Sequence, residues 1–173
     1  MPVVCYVRQV VIMQQKYVKE CQVYMTELVL PNDTSQLGNL LGGRLMHWID
    51  IAAAISAQRH SGNVCVTASV DELNFHHPIK LGEVVTLQAS VNRAFHTSME
   101  VGVRVTAHSM RGQETSRVAN NAYLTFVAID EQGKPVPVPP VTPQTGEEQR
   151  RYEEALQRRE LRLKKRQSLE GKQ

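Results

Sequence analysis

The sequence is short of the features that mark several whole classes of protein. It has three cysteines, Cys5, Cys21 and Cys65. An odd number with no short spacing gives neither a disulfide framework nor a zinc-ligand pattern, and it fits free thiols in a reducing cytosol. Aromatic side chains make up only 5% of the residues, so a core must rest on Val, Ala, Leu and Ile. No apolar run approaches the length of a membrane helix. The opening stretch MPVVCYVRQVVIM lacks the basic start, long apolar centre and small-residue cleavage site of a signal peptide, and Met13 offers a second possible start. A cytoplasmic chain without a membrane partner is expected. Charge of one sign is also scarce: the net charge is +3, with the basic excess gathered beyond Arg150. A weakly basic body suits an anionic ligand without demanding one.

What is present is the composition of an ordinary globular domain, 173 residues long with 42% hydrophobic and 21% charged residues. Three parts are expected: an extension over 1–16, one domain over 17–134, and a Pro-rich exit with a charged helix or tail over 135–173. Residues 17–30 read as a strand. Residues 44–59, RLMHWIDIAAAISAQR, contain no Pro or Gly and are apolar nearly all round, which predicts a buried helix. Ala52, Ala53, Ala54 and Ala57 let a sheet approach its axis, and Gly62 closes it. Four strands follow. Val64, Val66, Ala68 and Val70 are expected on one face of the first, and Val84–Val91 forms the second. The third alternates Met99, Val101, Val103, Val105 and Ala107 with polar positions. Asn121–Ile129 forms the last. A long helix with one strand before it and four antiparallel strands after it predicts an α+β architecture, a sheet wrapped around a central helix. Five prolines between Pro135 and Pro143 predict an extended exit. Residues 147–168 predict a solvated helix or fraying tail.

Two features run against simple folding. Gly42 and Gly43 stand at the entrance of the best helix, where glycine costs stability but leaves bare N–H groups at the positive end of the helix dipole. Such groups polarise a carbonyl or hold a developing oxyanion; a tight turn is the alternative. Asp50 is a carboxylate within an apolar helix, where a charge needs a partner or a task; a structural aspartate bonded to nearby backbone is the alternative. Gly43 and Asp50, seven residues apart, share a face about 10 Å from one another. A site shared between two protomers would remove that gap. Asn39 precedes the glycines and is able to bind a carbonyl or orient water, or to act as a turn residue.

The string GNLLGGRLMHWIDIAAAISAQRH at 38–60 resembles the acyl-CoA hydrolases of the hotdog superfamily, which include broad-range bacterial acyl-CoA thioesterases and the brain-type acyl-CoA hydrolase. VTASVDELNFHHPIKLGEVV, HTSMEVGVRV and AYLTFVAIDEQGKPVPVPPVTP continue the likeness in order, so that it spans about 17–145. The resemblance implies a hotdog fold of about five or six antiparallel strands around the helix. It implies dimers with joined sheets, a trimer of dimers making a hexamer, and active sites at the dimer interface. It makes Asp50 the nucleophile or general base, with Asn39 and the amides of Gly42 and Gly43 completing the site. Leu41 stands where many relatives carry His or Phe. Ser98, Thr67 and Ser69 are candidates for the pantetheine path. Arg93, Arg104 and Arg59 are candidates for the coenzyme A phosphates, since arginine suits phosphate geometry.

The expected reaction is therefore hydrolysis of fatty acyl-CoA to a free fatty acid and coenzyme A, with no cofactor beyond the coenzyme carried by the substrate. His60, His76 and His77 lack metal-ligand spacing on one face, so no metal is expected. A hotdog dehydratase would need a histidine working beside the carboxylate, and only His47 lies near Asp50. A non-catalytic acyl-CoA sensor is the alternative from another class. Interspersed glutamates in the basic tail weaken any nucleic-acid footprint, and no such partner is expected.

Overall fold

The computed structural model describes residues 13–71, 73, 77–110 and 116–170. The chain enters through β1 (Lys16–Tyr17) and a 3₁₀ turn, then runs into β2 (Val23–Leu28). The long helix α1 (Gly42–Ser61) follows, and then β3 (Val64–Val70), β4 (Glu83–Ala94), β5 (Ser98–Ser109) and β6 (Arg117–Ile129). A two-residue strand β7 (Val141–Thr142) and the helix α2 (Gly146–Glu170) complete it. Five strands form one antiparallel sheet in the order β2-β4-β5-β6-β3. The inner face of that sheet packs on Leu45, Trp48, Ile49, Ala52, Ala53 and Ala57 of α1. Ala52, Ala53 and Ala57, fully buried, allow the close approach expected of them, whereas Ala54 lies towards the open side. Gly62 ends the helix at φ 72°, a conformation glycine adopts without a Cβ penalty.

The helix starts two residues earlier than its apolar run, because the two glycines form its first turn. It is also less enclosed than its composition predicts. Gly43, Met46, His47 and Ile55 are exposed and Asp50 and Ala54 are half-buried, so one side of α1 is open.

β3 departs most from the pattern read in the sequence. Its valines do not all share one face. Cys65 and Thr67 lie opposite the core residues Ala128 and Phe126, whereas Val64 and Val66 point to the other face and are 60% and 44% exposed. A bulge between Thr67 and Ser69 then shifts the register, so that Ser69 faces outwards with Thr125 and Val70 lies opposite Leu124 on the other face while remaining 40% exposed. The alternation is a poor guide here because β3 is an edge strand of the sheet, with no cover over its valines among the described residues.

The Pro-rich exit is extended, as expected, and it is also pinned. Val136 and Val138 donate to the carbonyls of Ala128 and His96, β7 pairs in parallel with β1, and His60 Nε2 meets the Pro139 carbonyl at 2.8 Å. The charged segment is not a free tail. α2 lies on the outer face of the sheet with Ala155 fully buried. Arg158 donates to Glu100 at 2.7 Å and stacks on the Tyr123 ring, and Arg162 pairs with Asp71 at 3.0 Å. Glu100 and Gly102, which strand alternation alone would expose, are buried for this reason.

Candidate active site

The approach to α1 is a small hairpin. Ser35 N–H donates to the Asn39 carbonyl oxygen, and Gly38 occupies the turn at φ 70°. The segment is laced to the loop before β4: Leu40 N–H donates to Ile79 O and Leu81 N–H to Gly38 O. Asp33, unnoticed in the sequence, orders the whole entrance. Its carboxylate accepts from Leu30 N–H and, at 2.6 Å, from Arg44 Nε, and its carbonyl accepts from Leu41 N–H. The Arg44 hydrogen bond, with the Leu30 amide behind it, holds the Asp33 carboxyl below the usual carboxylate range. No side chain caps the helix, so its first-turn amides point at whatever occupies the space before them. A Cβ added at Gly43 would meet no atom within 4 Å. Packing inside the chain therefore does not explain that glycine.

Beside this turn lies a half-open cavity of about 300 Å³. Asn39, Gly42 and His77 stand at its rim, and the buried side chains of Leu45, Ile79 and Ala119 form its floor. The wall is fixed from behind. Arg117 donates to both oxygens of Glu83, at 2.8 and 2.7 Å, and to the Pro78 carbonyl, while Lys80 N–H also donates to Glu83. The Arg117 bond is the main cause of a lowered Glu83 pKa.

Asp50 belongs to a second group. It sits on the open side of α1, and Thr67 Oγ1 of β3 donates to Asp50 Oδ1 at 2.7 Å. The bulge after Thr67 lies directly beside this contact. Asp50 is thus held by a neighbouring hydroxyl at the sheet edge rather than tied to backbone. From Gly43 to Asp50 the helix rises about 10 Å, so one chain carries two half-sites: Asn39, Gly42 and Gly43 in one, Asp50 and Thr67 in the other.

The remaining candidates do not gather around either half. The bulge puts Ser69 on the opposite face from Thr67, where it contacts Asp71. Ser98 faces outwards opposite Val127 at the β4–β5 hairpin. Arg93 stacks on Tyr152 at 4.0 Å and donates to its carbonyl, and Arg59 donates to Gln22 O far down α1 from the glycines. Arg104 is exposed on the outer face opposite Gln88 and Asn121. Within one chain these residues form neither a pantetheine path nor a phosphate cluster; β-pairing and helix phase, which spacing alone does not fix, send them apart. Among the described residues no group of three potential metal ligands occurs; His76 lies outside them.

The thioesterase superfamily model matches residues 37–112, which contain both half-sites. The chain is 44% identical over 147 residues to mouse acyl-coenzyme A thioesterase 11, covering 85% of this chain and 24% of that protein. It therefore spans about a quarter of the mouse relative. A Bacillus subtilis protein named as an uncharacterized acyl-CoA thioester hydrolase is 43% identical, with 84% of each chain covered. Among solved structures, a Staphylococcus aureus acyl-CoA hydrolase with butyryl-coenzyme A and coenzyme A bound superposes with a TM-score of 0.86 at 38% identity, over 92% of this chain and 96% of that one. A hexameric acyl-CoA thioesterase superposes at 0.85 with 40% identity, over 88% and 97%.

Proposed function

The chain belongs to the acyl-CoA thioesterases of the hotdog-fold thioesterase superfamily, and on that premise we propose that it hydrolyses fatty acyl-CoA with Asp50 as the reacting carboxylate. The observation that carries the assignment is the hydrogen bond from Thr67 to Asp50 Oδ1 on the one open side of an otherwise packed helix. A carboxylate so placed is aimed by its partner and still reachable.

In the reaction, the amides of Gly42 and Gly43 donate hydrogen bonds to the thioester carbonyl oxygen and polarise it, with Asn39 beside them. Asp50 takes a proton from water as the water oxygen bonds to the carbonyl carbon. The tetrahedral oxyanion collapses, the carbon–sulfur bond breaks, and the coenzyme A sulfur leaves as thiolate, receiving a proton. In the other route Asp50 attacks the carbonyl itself, the carbon–sulfur bond breaks as coenzyme A thiolate leaves and takes a proton, and water hydrolyses the resulting anhydride to the fatty acid and the free Asp50 carboxylate. Neither needs a metal or a cofactor.

The 10 Å separation of the half-sites supports a site shared between copies, with Asp50 and Thr67 of one facing the glycine turn of another. The unpaired edge β3 and its exposed Val64, Val66 and Val70 suit such a contact. The hexameric relative supports a trimer of such dimers. Free, buried Cys21 and Cys65 support a cytoplasmic setting, and among the described residues no helix is long and apolar enough to cross a membrane.

The test is free-thiol release from a series of acyl-CoA substrates. The native protein turns them over, and Asp50→Asn loses on the order of a hundredfold or more in kcat, in line with removal of a catalytic base, while still binding coenzyme A. Near-full turnover by Asp50→Asn would remove the assignment, and binding without turnover by the native protein would make it a sensor. In a single turnover in labelled water, label entering Asp50 identifies the anhydride route.

A further inference from the structure

We propose that the cavity beside Gly42 receives the acyl chain and that Ala119, at its buried end, sets the longest chain the protein accepts; this rests on the thioesterase reading above. The polar groups of the cavity are at its rim and its floor is apolar: Leu45, Ile79 and Ala119 are 2%, 4% and 2% exposed. A carbonyl held by the Gly42 amide therefore has an apolar space next to it, with the division of polar and apolar walls that a fatty acyl thioester presents.

The floor owes its depth to an irregularity in the sheet. Asn120 pairs with Val105 and Val118 with Thr106, so Ala119 is the extra residue of a bulge and has no partner on β5. Its methyl group stands where a larger side chain would fill the cavity. The surroundings cannot yield easily, because Glu83 and Arg117 clamp the loop carrying Pro78 and Ile79 to the start of β6.

Size makes the inference quantitative. A cavity of about 150 Å³ holds benzene, six carbons. The 300 Å³ found here corresponds on that scale to roughly twelve carbons. Replacing Ala119 by Phe adds one aromatic ring and removes about half of that space. Each methylene that finds or loses its pocket changes kcat/KM by tenfold or more.

The experiment is a profile of kcat/KM from acetyl- to palmitoyl-CoA for the native protein, Ala119→Leu and Ala119→Phe. For the native protein the values should rise to about the dodecanoyl chain and gain nothing beyond it. Ala119→Phe should lose about a hundredfold or more on dodecanoyl-CoA while staying within about threefold on acetyl-CoA, with Ala119→Leu between. Retained acetyl-CoA turnover certifies the fold of each variant. An unchanged profile in both variants overturns the proposal. An equal fall at every chain length also overturns it, because the cavity would then serve the pantetheine arm common to all the substrates. A native protein that releases no thiol from any of them fails at the earlier step, the thioesterase reading itself.

Discussion

Gly43 separates structural from chemical explanations at a single residue. Glycine inside a helix costs about 0.5–1 kcal/mol relative to alanine, and at Gly43 nothing within 4 Å would obstruct a methyl group. Gly43→Ala should therefore keep or raise stability by about that amount in chemical denaturation. If a thioester must approach the first-turn amides closely, the same variant should lose about tenfold or more in kcat/KM, with most of the loss in kcat. A variant that is more stable and fully active would show that the glycine serves no ligand. Thr67 and Asp33 work beside it through other groups. Thr67 aims Asp50, and Asp33 fixes the loop that presents the glycines. Asp50 and the glycine pair were legible in the sequence because each breaks a rule of local folding. Thr67 was legible only as a polar residue near the helix, and Asp33 was not legible at all, since its partners Leu30, Leu41 and Arg44 converge on it through a turn.

At the scale of elements, α2 and β3 show where charge and alternation misled. α2 has too few apolar positions to form a core of its own, yet it is anchored through Ala155, Tyr152 and two arginines. Glu100 is fully buried and depends on Arg158, with Asn92 supplying a further hydrogen bond at 3.0 Å. Breaking a buried pair from one side leaves an uncompensated charge. Arg158→Met should lower the unfolding free energy by about 3 kcal/mol or more, read as a lower denaturant midpoint at unchanged slope. A change below about 0.5 kcal/mol would place the pair among the weak surface bridges. Gly102 belongs to the same arrangement, since a Cβ there would come within 2.7 Å of Asn92 Nδ2. In β3 the alternation of valines marks a strand, but the bulge after Thr67 takes Val70 off the face that Val64 and Val66 share. A period of two says which residues lie together, not which face meets the helix.

For the whole molecule, acid should be the weak side. Arg44 lowers the Asp33 carboxyl and Arg117 lowers that of Glu83, so both stay ionised in the fold after the unfolded chain has begun to take protons. Their contribution is present above the unfolded carboxylate range and is lost as pH falls through their depressed values. Burial keeps His60 neutral below its ordinary range, so there too the unfolded chain binds the proton first, and stability falls as pH drops below about 6.5. The melting temperature should be flat near neutrality, decline from about pH 6.5, and decline again near pH 4. His60→Asn should remove the first of these steps. A profile that rises towards acid would contradict all three assignments.

The sequence by itself determined the helix, the number and order of the long strands, the hotdog architecture through its ordered motifs, and the two features from which the chemistry was argued. Those properties are local: periodicity, glycine and a misplaced charge are written in neighbouring residues. Only the tertiary structure decided that Thr67 and not Ser69 meets Asp50, that Ser98, Arg93 and Arg59 point elsewhere, and that α2 is clamped to the sheet. Bulges, strand register and the phase of a helix against a sheet depend on residues far apart in the chain, and one residue of shift reverses the face on which a side chain lies.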